Sequence, residues 1–157
     1  MTDGRGTMTD FLSVDPGRRT GISLCHYSKG TPLTLLASWD VPFGVPGFFD
    51  WYRTEEPIVQ FIVYESFDLR EGKHGVDLTP VEVIGALKIL ALELEIPLHD
   101  QPPAGRLQAV SDDVLRKFDM YQPGKAHRNE RESNRHAVWW MKKQKHLPTL
   151  ERGWPRR

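Results

Sequence analysis

Phe11-Leu12-Ser13-Val14-Asp15-Pro16-Gly17-Arg18-Arg19-Thr20-Gly21 holds more of the architecture than any other stretch of this chain. An apolar run of strand character ends in an aspartate, a Pro-Gly pair follows, and a second β-prone run begins after Gly21 and continues to Tyr27. Proline fixes one backbone torsion and glycine accepts a positive φ, so the two strands are joined by a tight turn. Asp15 then stands at the end of a rigid element, the support that a metal-binding carboxylate needs. The same residues also suit a plain hairpin whose aspartate caps the turn, because Asp hydrogen-bonds readily to nearby backbone.

Working outward, residues 11–15, 20–27 and 33–41 read as three strands, the last two separated by a turn at 28–32. Phe43 to Tyr52 is a connection leading into a short helix. Ile58 to Tyr64 is a fourth strand, apolar enough to be buried on both faces, which points to parallel pairing. Thr79-Pro80-Val81-Glu82 opens a helix with Thr79 as N-cap, Pro80 at the first position and Glu82 completing a capping box. Pro97 to Gln101 is a short fifth strand. Helices follow near 106–118 and 127–143, separated by Gln122-Pro123-Gly124. Residues 1–10 read as a disordered segment, 11–143 as one folded domain, and 144–157 as a basic, flexible tail. The plan is α/β: a five-stranded mixed sheet with helices on both faces.

At 157 residues the chain suits one domain with one core. It is 39% hydrophobic and 27% charged, an ordinary globular balance that excludes fibrous and disordered classes. No apolar run approaches the roughly 20 residues of a membrane span, and the N-terminal residues lack a signal-peptide core. The single cysteine, Cys25, excludes internal disulfides and a cysteine-rich zinc site. A cytoplasmic protein is the simplest expectation. The net charge is zero, but it is unevenly spread. Residues 1–104 carry 8 Lys and Arg against 15 Asp and Glu, and residues 105–157 carry 13 against 6. That asymmetry fits a face for polyanions, and equally a solvated basic helix and tail.

Glu65 ends the run Ile58-Val59-Gln60-Phe61-Ile62-Val63-Tyr64 as Asp15 ends the first strand. If the two strands are parallel neighbours, both acids emerge at the carboxyl edge of the sheet, where open α/β folds place their sites. In the final helix Asn129, Glu132 and His136 are spaced i, i+3, i+7 and share one face. That face reaches a cleft, or it is a solvated surface laced by Arg–Glu pairs.

With these residues in view, the chain resembles the RuvC-type Holliday-junction resolvases, in particular the small bacteriophage versions, within the RNase H-like nuclease superfamily. The resemblance covers roughly residues 11–142. It rests on Val14-Asp15-Pro16-Gly17 with Thr20-Gly21, on Tyr64-Glu65-Ser66-Phe67, on Val83-Ile84-Gly85-Ala86-Leu87, and on Glu132-Ser133-Asn134-Arg135-His136-Ala137. It implies an RNase H-like fold whose first three strands are antiparallel. It also implies a homodimer, and acids from strand one, strand four and the last helix that bind two divalent metals, Mg²⁺ or Mn²⁺. Asp15 would bridge the ions, with Glu65 and Glu132 as further ligands and Asn129 offering a neutral oxygen. His136 would be a ligand or general base. The family's last helix usually carries aspartates at the positions that align with Glu132 and Asn129. A phage-encoded protein would work in the host cytoplasm.

Two hard cations, one beside the attacking water and one beside the leaving oxygen, suit phosphodiester hydrolysis, and carboxylates are their natural ligands. Branched DNA is the expected partner. Arg18 and Arg19 flank the Asp15 turn; Lys125, Arg128, Arg131 and Arg135 border the acidic helix; Lys142 and Lys143 extend its basic surface. The loop after Glu65 carries Phe67, Arg70, Lys73 and His74, placed to probe bases or simply to cross over. Two further readings stay open: a broader RNase H-like nuclease, and a branched-DNA-binding protein that has lost cleavage. An actin-like ATPase, suggested by Asp-Pro-Gly-Arg-Arg-Thr-Gly, needs two such domains and is set aside.

Overall fold

A computed structural model describes residues 6–68 and 75–157. The Pro16–Gly17 turn folds β1 (Thr9–Asp15) back antiparallel on β2 (Thr20–Ser28), with Asp15 opposite Gly21. β3 (Thr31–Val41) continues the meander. On the other side of β1, β4 (Phe61–Glu65) runs parallel to it, and β5 (Leu98–Gln101) runs parallel to β4. The sheet order is β3-β2-β1-β4-β5. Parallel neighbours need crossovers, and helices supply them. α1 (Gly44–Glu55) lies between β3 and β4, and α2 (Thr79–Leu94) lies between β4 and β5.

Successive strand residues point to opposite faces, and that alternation builds two cores. Leu12, Val14, Ile62 and Tyr64 pack with Phe48 and Trp51 of α1 and Leu87 and Leu90 of α2. Phe11, Cys25 and Val63 face the other way, against α4 (Asp112–Lys117) and α5 (Arg128–Lys143), through Leu115, Val138 and Met141. Each large apolar side chain fully buried here contributes roughly 1.5–3 kcal/mol. No described helix is long and apolar enough to cross a membrane.

The bed beneath α5 is unlike the rest of the core. Ser13 donates its hydroxyl to the Ser133 carbonyl at 2.6 Å, and Ser23 bonds Ser133 Oγ and Asn134 Oδ1 at 2.6 Å each. A Cβ on Gly21 would run into the Asn129 carbonyl, so helix and sheet meet backbone to backbone there.

Several boundaries differ from expectation. β1 starts at Thr9, so residues 9 and 10 are strand; residues 1–5 lie outside the described residues. β4 starts at Phe61, and Ile58 is exposed instead of buried. Thr79 opens α2 without capping it: the exposed Asp77 carboxylate accepts both the Thr79 N–H (3.0 Å) and hydroxyl (2.6 Å). The helix expected over 106–118 is two, α3 (Arg106–Ala109) and α4, because Val110 is extended and the Ser111 hydroxyl caps α4. A 3₁₀ turn, Lys125–His127, leads into α5.

The tail requires the largest correction. Residues Leu147–Gly153 form α6, with Pro148 in its first turn, where proline fits a helix. Buried Thr149 accepts the Leu33 N–H at 3.0 Å, and His146 donates to the Ser28 carbonyl at 2.7 Å. Those bonds satisfy a backbone N–H of the edge strand β3 and the carbonyl at the end of β2, which ties this segment to the sheet.

Candidate functional site

The alternation that builds the cores also aims the acids. Asp15 lies two residues beyond Ser13 and Glu65 two beyond Val63, so both carboxylates share the α5 face. The paired register ends at Val14 with Tyr64, and one step further along each strand stand Asp15 and Glu65. Gln101, opposite Glu65 on β5, points the same way. α5 crosses this face and brings Glu132 and His136 to the strand ends.

The charges register one another strongly. Burial pushes the Asp15 carboxyl well above its ordinary value, and the Glu65 and Glu132 carboxylates push it further; Arg106 and Arg128 pull it back only in part. Three acids therefore converge on one cleft with too little positive charge to balance them. Glu132 accepts a hydrogen bond from Arg106 Nε at 2.8 Å. Burial alone would lower the Arg106 pKa, yet Glu132, Glu65 and Asp15 together outweigh it and hold the guanidinium above its ordinary value. Sequence reading missed Arg106: nothing in Gln101-Pro102-Pro103-Ala104-Gly105-Arg106 announces that this loop folds back on α5.

His136 is completely buried. Its Nε2 lies 2.8 Å from Glu65 Oε2, and its Nδ1 lies 3.3 Å from Gln101 Nε2. The Gln101 amide also donates to the His136 carbonyl at 2.9 Å, which fixes the amide's orientation. Nδ1 is thus the acceptor and Nε2 carries the proton toward Glu65. A histidine enclosed in this way orients Glu65 and has no access to an attacking water. That enclosure suits a positioning role for His136 better than the expected general base.

Asn129 shares the helix face, as its spacing predicted, but its amide donates to Asp40 Oδ1 at 3.2 Å. Glu130 turns instead to Ser38 on β3, accepting its hydroxyl at 2.9 Å. These two bonds strap the first turn of α5 to the edge of the meander.

The expected DNA-facing residues divide. Arg18, Lys125 and Arg128 are exposed, and Arg128 is close enough to act on Asp15. Arg18 pairs with Asp77 and Arg19 with Asp40, each at 3.0 Å. Arg131 donates to the Gln122 and Gly124 carbonyls at 2.7 and 2.6 Å. Arg135 is buried, held by the Val110 carbonyl and Asp112 at 2.6 Å each, so it is a structural residue and not a phosphate contact. Its neighbours on the α5 register are core residues, a placement that charge alone does not reveal. Lys142 bonds the Ala109 carbonyl at 3.0 Å and covers Trp154. Lys143 lies over Trp139, and burial lowers its pKa. Phe67 packs against the α1–α2 core. Arg70, Lys73 and His74 lie outside the described residues.

The donors are right in kind for a hard divalent cation: three carboxylates and an amide, without sulfur. Glu65 and Glu132 each give one oxygen to a cationic or ring N–H donor, and among the described residues no three Asp, Glu, His or Cys groups are drawn close enough to hold an ion together. The excess negative charge, not a finished cage, is what matches a metal.

No family model matches the chain, and no curated protein does. Solved structures do. RuvC of Thermus thermophilus in complex with Holliday junction substrate superimposes with a TM-score of 0.64 at 12% identity, covering 88% of this chain and 98% of that one. Another Thermus thermophilus RuvC structure gives 0.59 at 15% identity, over 87% and 97%. The fowlpox virus Holliday junction resolvase gives 0.60 at 10% identity, over 87% and 99%. At such identities the likeness is one of fold, and the fold is α/β and RNase H-like.

Proposed function

We propose that this chain is a divalent-metal-dependent endonuclease that hydrolyses phosphodiesters in four-way or other branched DNA, like the RuvC-type resolvases its motifs resemble. The observation that carries the reading is the convergence of Asp15, Glu65 and Glu132 at the carboxyl edge of an RNase H-like sheet, with Asp15 held against its own ionisation. Acids placed so, short of countercharge, suit Mg²⁺ or Mn²⁺. When bound, the ions would activate water and neutralise charge on the phosphate and leaving oxygen. Asp15 and Glu132 would hold them directly, with Glu65 presented by His136 and Gln101. Arg128, exposed and close enough to act on Asp15, and the exposed Lys125 would take backbone phosphates without reading sequence.

Opposed cuts in a junction need two equivalent sites, which a two-fold dimer provides. The outward face of α2 supports self-association: Val81, Ile89 and Leu92 are exposed in one stripe with Leu78, and Gly85 at its centre faces open space. Such a stripe suits the isologous meeting of two helices. The tested outcome is cleavage of labelled four-way junction in Mg²⁺ or Mn²⁺, none in EDTA, and little cleavage of linear duplex.

A second reading, a branched-DNA-binding protein without cleavage, is favoured by Asn129 turning to Asp40 and by the incomplete cage. Junction binding with no product at any divalent concentration would select it.

A further inference from the structure

We infer that Arg106 is a built-in counter-cation of the carboxylate cluster, and that a divalent metal must displace it from Glu132 to bind. The inference rests on the metal-site reading above. Arg106 Nε lies 2.8 Å from Glu132 Oε2, so this oxygen is already committed to a positive charge. The other Glu132 oxygen faces Arg135 Nε at 3.5 Å. The two guanidiniums differ in freedom. Arg135 is buried and clamped by Val110 and Asp112. Arg106 keeps 28% of its side chain exposed and stands on α3, a four-residue helix with no buried residue. It follows Gly105, whose φ is +89°, and among the described residues its side chain's other hydrogen bond is to the Pro103 carbonyl at 2.7 Å. An element with so little buried surface opens locally at low cost.

The two cations cannot share one oxygen. A doubly charged ion gains more from a carboxylate cluster than a single guanidinium does, and it needs Glu132 to complete its shell. Arg106 is therefore the ligand that leaves. In the metal-free protein it keeps Glu132 directed inward and offsets part of the charge on Asp15; on loading its Nε–H is released, and the N–H donors not held by Pro103 can take phosphate.

The test measures metal binding without DNA. Mn²⁺ is titrated calorimetrically into wild type, Arg106→Gln, Arg106→Lys and Asp15→Asn at neutral pH. Wild type should bind and Asp15→Asn should bind far more weakly, which checks the site itself. Arg106→Gln should bind about ten-fold tighter than wild type, with Arg106→Lys between them. Its thermal midpoint should fall without metal and rise more than wild type's on adding Mn²⁺. An arginine with a purely structural role would lower the midpoint and leave the Mn²⁺ affinity unchanged or weaker; that result overturns the inference while the site reading stands. If wild type and Arg106→Gln both fail to bind Mn²⁺, the metal reading fails and this inference with it. Should Arg106→Gln not fold, wild type alone decides. Its Arg106 Nε–H resonance, identified by its loss in Arg106→Lys, should move and lose exchange protection with Mg²⁺, and an unmoved resonance overturns the inference.

Discussion

Asp15 is a residue whose charge the metal-free fold opposes. Burial and two neighbouring carboxylates raise its folded pKa above the unfolded value near 3.9. Between those two values the native state binds more protons than the unfolded chain, so stability falls as pH rises through the window. The penalty is absent below the unfolded value and complete above the folded one. Melts in EDTA should therefore lose midpoint as pH is raised from about 4, and Mg²⁺ should restore it. Asp15→Asn should abolish cleavage, keep junction binding, and stabilise the metal-free protein at neutral pH by about 1–3 kcal/mol, the scale of relieving an unpaired buried group. A destabilised Asp15→Asn in urea titration would contradict this. His136 leads to a different expectation. Because its ring faces Glu65 and Gln101, His136→Ala should lower cleavage about 10–100-fold, as outer-shell partners of metal ligands do, and leave the acid limb of the pH–rate profile in place. A shifted limb would restore the general-base role.

At the scale of elements, α5 governs the site. Its first turns lie on Gly21, Ser13 and Ser23, and its polar face is strapped to β3 through Asp40 and Ser38. Gly21→Ala adds a methyl where the Asn129 carbonyl already sits. It should cost about 1–3 kcal/mol, the range for overpacking, and reduce cleavage more than DNA binding. Urea denaturation alongside a junction-cleavage assay checks both. Much of this layout was legible beforehand. The apolar runs ending in Asp15 and Glu65 fixed two strand ends, and the i, i+3, i+7 spacing fixed the face of the last helix. The roles on that face were not legible, since burial depends on partners remote in sequence: His136 meets Gln101 and Arg135 meets Asp112. α6 was hidden for a similar reason. The two prolines and the basic residues of 144–157 read as a loose tail, and only the backbone groups of edge strand β3 and the end of β2 explain why it docks.

For the whole molecule, the basic C-terminal third is less of a continuous DNA face than its composition implied. Arg135 is buried and Lys142 and Lys143 are engaged, whereas Lys125 and Arg128 are exposed, Arg128 close enough to act on Asp15. Junction affinity should fall steeply with salt, and Lys125→Ala with Arg128→Ala should flatten the log–log slope by about two. An unchanged slope would place the DNA elsewhere. Light scattering should give twice the 18.1 kDa of one chain. Leu92→Glu on the α2 stripe should return it to one copy with the fold intact, and a Leu92→Glu protein that stays dimeric would remove α2 from the interface. The glycine and serines under α5 have a wider consequence. Where a helix rests on a sheet through main chain and hydroxyls, the gap between them is a constant of polypeptide geometry, not a variable of side-chain volume. Leucines, valines and phenylalanines elsewhere can be exchanged over evolutionary time without carrying Glu132 away from Asp15. The acidic edge is gauged from the backbone, so a lineage can rewrite nearly all of its interior and still keep one ångström-scale dimension unchanged.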